Sequence, residues 1–292
     1  MGFAIITDSS ANLTDEQIKN YDLHILSLEF LVDGASYRGY TEGEKTDNKQ
    51  FYEMMRKGKV VKTSLVSLNE ADVTLRSSFE KGNDVLYLGF DSAISGTYDA
   101  VSMYMEKVQR DEFPERKLRC VDTLAAALGQ GLFVVEAAKK REQGAALDEI
   151  ADWALFNRLK FAHWFTVDDL NYLQRGGRLS KGVAIAGTIL NIKPILQVDF
   201  EGRLVPVEKV RGRKKSIQAL YEKFAATAAE PKNAQPVFIS HGDCLEDAEE
   251  LAGLIRENHG VTNFVINDLD PVIGAHAGPG TLALFFISAE DR

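Results

Sequence analysis

Val85-Leu86-Tyr87-Leu88-Gly89-Phe90-Asp91-Ser92-Ala93-Ile94-Ser95-Gly96-Thr97-Tyr98 is an apolar run that ends in a short loop of small, acidic and hydroxyl residues, after which a helical pattern opens. Val85 to Phe90 reads as a buried strand. Tyr98 to Val108 carries apolar residues at three- and four-residue spacing and reads as a helix. The same unit recurs on either side. Phe3 to Thr7, Ile25 to Val32 and Leu118 to Val121 read as strands, and Phe51 to Lys57, Glu70 to Glu80 and Leu124 to Lys140 as helices. Repeated βα units imply a mainly parallel sheet, whose ligands sit at the carboxyl ends of its strands. The loops Asp8 to Asn12, Asp91 to Thr97 and Asp122 to Thr123 are therefore expected to converge on one rim.

The second half of the chain has another character. A helix over Leu147 to Leu159 precedes a strand over Phe161 to Val167, which places a domain boundary between residues 160 and 161. Asn191 to Phe200 and Arg203 to Val210 flank Glu201-Gly202 as a hairpin would. Helices over Lys215 to Ala229 and Leu245 to Glu257, with strands Val237 to Ser240, Asn263 to Ile266 and Thr281 to Ile287, complete a mixed or antiparallel sheet flanked by helices. The expected architecture is two α/β domains, 1–160 and 161–292, meeting across a cleft.

Composition excludes several classes. The 292 residues are 45% hydrophobic and 26% charged. No apolar run approaches the roughly 20 residues that span a bilayer, so integral membrane insertion is not expected. With 34 basic against 43 acidic residues the net charge is −9. The one dense basic stretch is Lys209, Arg211, Arg213, Lys214 and Lys215, too short a footprint for nucleic acid. Cys120 and Cys244 are far apart and belong to no metal-binding or CxxC pattern, which suits a reducing cytoplasm. The amino terminus shows no signal-peptide pattern, so the expected location is cytoplasmic. No GxGxxG, GxxxxGK[ST] or GxSxG motif is present, and no cofactor or metal is expected.

Four segments carry candidate chemistry. Ser95, Gly96 and Thr97 stand where a helix begins, and unpaired N–H groups with the positive dipole end favour an anion there; the alternative is simple helix capping. Thr63 and Ser64 form a second hydroxyl-bearing loop. His276 lies within Gly274-Ala275-His276-Ala277-Gly278-Pro279-Gly280, either as a rigidly framed donor or acceptor or in a plain connection between two strands. Arg211 and Arg213 suit a phosphate or an acidic partner surface, or form an ordinary solvated run. Ser240 and His241 are strand neighbours, pointing to opposite faces, and are not read as a nucleophile and base. Ser95 as nucleophile with His276 as base would make an acyl esterase or acyltransferase, and a pocket for some other carboxylate is a third reading.

Taken in order, several motifs resemble the DegV family over nearly the whole chain. They are Thr7-Asp8-Ser9-Ser10-Ala11-Asn12-Leu13, Ser95-Gly96-Thr97-Tyr98, Gly176-Gly177-Arg178-Leu179-Ser180, Asn191-Ile192-Lys193-Pro194-Ile195-Leu196, the Val210 to Lys215 stretch and the Gly274 to Gly280 loop. Thr63-Ser64-Leu65-Val66-Ser67 departs from the family, which usually has glutamine and proline at the third and fourth positions. The resemblance implies a non-enzymatic carrier that holds a long-chain fatty acid between its two domains and presents it to the catalytic subunit of a fatty acid kinase, feeding phospholipid synthesis. It implies that Thr63, Ser95, the backbone at Gly96 and His276 hold the carboxylate. Ile94, Ile185 and Leu190 would line the tail, with Arg211 and Arg213 near the head group or the kinase.

Overall fold

The computed structural model describes residues 2–44, 46–179 and 191–292. The first sheet has the order β2-β1-β6-β7 and is parallel throughout: β1 (Phe3–Asp8), β2 (Leu23–Leu26), β6 (Asp84–Gly89) and β7 (Leu118–Asp122). Beside it a small antiparallel sheet joins β3 (Glu29–Val32) to β4 (Ala35–Arg38) and β5 (Val61–Ser64). The third sheet, in the order β10-β9-β8-β13-β11-β12, contains β8 (Phe161–Thr166), β9 (Ile192–Val198), β10 (Leu204–Arg211), β11 (Val237–His241), β12 (Phe264–Asp268) and β13 (Leu282–Ile287). It is antiparallel except where β11 and β12 run parallel. The expected parallel and mixed sheets are both present.

The helices are α1 (Asp15–Asn20), α2 (Asn48–Arg56), α3 (Leu68–Glu80), α4 (Thr97–Glu112), α5 (Ala127–Glu142), α6 (Leu147–Asn157), α7 (Asn171–Arg175), α8 (Arg213–Thr227), α9 (Leu245–His259) and α10 (Pro271–Ala277). Alternation along β13 shows how the layers share the third sheet. Leu282, Leu284 and Phe286 join a core with Ile217, Leu220 and Phe224 of α8, while Ala283 and Phe285 face the other way into the larger core. That second face meets α5, which touches β8, β11 and β13 and also the loop after β1. A helix enclosed in this manner must be apolar around its circumference, and Leu128, Leu132, Phe133, Val134, Val135 and Ala138 are all buried.

Several local readings are corrected. Ile25 to Val32 is two strands in two different sheets. The break comes at Ser27 and Leu28: the Ser27 N–H donates to Glu70 Oε1 (3.0 Å) and the Leu28 N–H to Ser9 Oγ (3.0 Å), so neither amide continues a ladder. Thr63 and Ser64 belong to β5, not to a loop. The stretch around His276, between β12 and β13, forms helix α10 rather than a tight connection. Asp270 caps it by accepting from the Ile273 N–H (2.7 Å), Pro271 fills the first turn, and Gly278 at φ +85° ends it. The helix read from Leu124 begins only at Ala127, because Leu124 (φ +48°) adopts left-handed backbone and Ala126 (φ −141°) is extended.

Candidate functional site

The carboxyl ends of β1 and β6 are locked by one buried carboxylate. Asp8 accepts from the Phe90 N–H (3.0 Å), from the Ser10 hydroxyl and from Gln130 Nε2 (3.3 Å), which joins two loops to α5. Burial pushes its pKa up and these hydrogen bonds oppose the rise. The loop held at Phe90 continues through Asp91 to Ser95 and delivers the start of α4.

Ser95 is 8% exposed, its hydroxyl donates to Thr97 Oγ1 (3.0 Å), and it accepts from the Thr97 N–H (3.2 Å). Gly96 is the residue that opens the helix, with φ −73°. Thr63 reaches the same place from β5, and His276 from the last turn of α10. Thr63 Oγ1 and His276 Nε2 are 2.8 Å apart. Among the described residues His276 Nδ1 is buried without a hydrogen-bond partner, and it faces Gly176, where an added Cβ would overlap it. Burial, and secondarily the charge of Arg178, hold the His276 pKa down to about 4, so the ring is neutral at pH 7.

Thr63, Ser95 and His276 line one cavity of about 320 Å³. Its remaining described wall is mostly apolar, including Leu28, Phe90, Ile94, Phe165, Leu173 and Phe285. That volume is at the lower end of small-molecule pockets, and an apolar body with a few convergent polar groups is their usual composition. Gly96 is adjacent to the wall without being among its lining residues. Ile185 and Leu190 lie outside the described residues.

Arg211 and Arg213 are not brought to the described cavity wall. Arg211 is exposed at the end of β10. Arg213 is held by Asp247 (2.9 Å), by the Gly280 carbonyl (2.9 Å) and by Cys244 Sγ (3.2 Å). Sequence reasoning gave Arg178 no role of its own, naming it only within the Gly176-Gly177-Arg178-Leu179-Ser180 motif. The structure sets this guanidinium in the wall beside His276, with Nε donating to the Ile94 carbonyl (3.1 Å) and Nη1 to the Gly176 carbonyl. A lone arginine after two glycines was the available signal. Two further wall residues missed are His163 and Val198, which nothing in the local sequence distinguishes from core.

Comparison with known proteins gives a consistent picture. The sequence model of the DegV family, described as uncharacterised proteins, matches residues 2–289. A DegV domain-containing protein of Clostridium perfringens is 40% identical over 285 residues, covering 98% of this chain and 97% of that protein. Among solved structures, a fatty acid binding DegV family protein from Streptococcus agalactiae is 31% identical with a TM-score of 0.83, covering 100% of both chains. A DegV lipid binding protein from Thermotoga maritima is 28% identical with a TM-score of 0.85, again over 100% of both chains. A DegV family protein from Thermus thermophilus, described by its fatty acid binding, is 26% identical with a TM-score of 0.86 over 99% of this chain and 100% of that one. A family match over nearly the entire length, together with these relatives, shows that the chain belongs to the DegV family.

Proposed function

We propose that this protein is an intracellular carrier that holds a long-chain fatty acid between domains 1–160 and 161–292, and presents the carboxylate to a fatty acid kinase partner for conversion to an acyl phosphate. The observation that carries the reading is the convergence of Thr63, Ser95 and His276 on one apolar cavity. Solved DegV relatives described as fatty acid binding support it. The carboxylate would accept from the Thr63 and Ser95 hydroxyls, the backbone at Gly96 and the His276 ring, at the positive end of α4. Arg178 supplies a nearby positive charge.

Magnitudes assign separate tasks to head and tail. Burying about 14 methylenes at about 0.8 kcal/mol each gives roughly 11 kcal/mol before ordering costs. Each charge-assisted hydrogen bond contributes about 1.5 to 3 kcal/mol, so the polar end chiefly orients the carboxylate. Arg211, exposed on β10, is the arginine we assign to the partner surface, since Arg213 is already held by Asp247.

The geometry favours binding over serine catalysis. The Ser95 hydroxyl donates to Thr97, the His276 Nε2 contact is with Thr63, and among the described residues the buried His276 Nδ1 has no acceptor to orient the ring as a base. Native mass spectrometry of freshly purified protein is expected to show the added mass of a long acyl chain. A preparation that neither retains nor takes up fatty acid would overturn the reading. Acyl-dependent ATP turnover on adding a fatty acid kinase tests the presentation step.

A further inference from the structure

Behind the apolar cavity lies a second one of about 360 Å³, bordered by Ala162, Trp164, Ala226 and Thr227. Among the described residues the two cavities share two wall residues, His163 and Val198. The antiparallel register that pairs Trp164 with Gln197 puts His163 on β8 opposite Val198 on β9. Both are deeply buried, at 2% and 3% exposed.

His163 is fixed in a manner that an ordinary core side chain is not. One ring nitrogen, Nδ1, lies 2.7 Å from the Phe161 carbonyl, and the other, Nε2, accepts from the Ala126 N–H (3.3 Å). The ring therefore donates at Nδ1 and is neutral, in keeping with a pKa driven well down by burial. It meets the Phe285 ring edge-on, centroids 5.1 Å apart at 80°, and sits against Gly129 of α5, where any Cβ would overlap it. Rotating the imidazole away would break two buried hydrogen bonds, so a ligand cannot displace it as it would a methionine or leucine. Its hydrogen-bond and ring partners include none of Thr63, Ser95 and His276.

We propose that His163, backed by Val198, is the end wall that sets the longest acyl chain this cavity accepts, closing it off from the second cavity. The inference rests on the fatty acid reading above and adds the residues that determine chain-length specificity. A chain anchored by its carboxylate gains affinity with each methylene until its terminus meets the ring; beyond that length the next methylene must fold back or remain unburied.

The test uses the full chain, stripped of lipid, with saturated fatty acids from dodecanoic to docosanoic acid competing against a fluorescent fatty acid. The wild type should tighten with length, then flatten or weaken at one turning point. His163→Ala and Val198→Ala should each move that point to longer acids, with about a fourfold gain in affinity for every methylene newly buried. Val198→Phe should move it to shorter ones. Val198→Ala leaves the hydrogen bonds of the imidazole in place, so the test survives a misfolded His163→Ala. Folded variants that bind fatty acids with the wild-type turning point would overturn this inference alone. A wild type that binds no fatty acid would overturn the carrier reading and this inference together.

Discussion

Thr63 Oγ1 and His276 Nε2 lie 2.8 Å apart although 213 residues separate them in the chain. The contact ties the small antiparallel sheet to α10 and fixes one edge of the cavity. The opposite nitrogen of the ring faces Gly176, where a Cβ would overlap it.

Gly176→Ala should therefore act as a site mutation. Gly176 has φ −71°, which alanine adopts without strain, so the effect is the overlap of the new methyl with His276 Nδ1. We expect fatty acid binding to weaken at least tenfold, at a stability cost of about 1 to 3 kcal/mol. Wild-type affinity in the variant would show that the ring position is unimportant.

His276 should make the fold acid-sensitive. Its pKa falls from 6.5 to about 4 in the folded chain, so below about pH 6.5 the unfolded chain binds a proton that the folded one refuses until about pH 4. Stability falls as pH falls through that window. Relative to His276→Gln, the wild type should lose about 3 kcal/mol between pH 7 and pH 4, read from urea denaturation at several pH values. A constant difference between the two proteins would show that the imidazole is not neutral when folded.

Asp91 should respond in the opposite direction. Burial raises its pKa from 3.8 to about 8, with nearby Asp122 adding to the rise, while the Ala93 N–H (2.9 Å to Oδ1) and Arg292 oppose it. The folded chain keeps a proton that the unfolded chain loses above about pH 4, so this group lowers stability as pH rises towards 8. Asp91→Asn retains the acceptor for Ala93 and cannot ionise. We expect it to be more stable than wild type at pH 8 by at least about 1 kcal/mol, with the advantage gone at pH 4. Equal melting temperatures at both pH values would contradict the buried, protonated carboxyl.

Ser95→Ala should separate binding from folding. Loss of one hydroxyl donor to a carboxylate should weaken fatty acid binding about 10- to 100-fold by calorimetry. Loss of its hydrogen bond with the Thr97 N–H should cost only about 1 kcal/mol of stability. Unchanged affinity in the folded variant would remove Ser95 from the head-group site.

The βα units and the β9–β10 hairpin were legible because apolar runs, helical spacing and Glu201-Gly202 are local signals. Errors arose where a local pattern yielded to distant partners. Ile25 to Val32 looks continuous, yet Glu70 and Ser9 capture the two amides at its middle. The glycines at 274 and 278 disguised α10, although Asp270-Pro271 is a recognisable helix start. Within the site, the hydroxyls and His276 were readable as residue types in special settings, whereas Arg178, His163 and Val198 acquire meaning only from what stands beside them.

By itself, then, the chain's order of apolar and polar residues determined the two kinds of sheet, the helices between them and the serine at the mouth of α4, since periodicity and capping act over a few residues. The tertiary structure alone decided that Thr63 meets His276, that Arg178 stands beside them and that His163 lines the same cavity. Those contacts join segments up to 213 residues apart, a separation that no periodicity or capping signal within a few residues can encode.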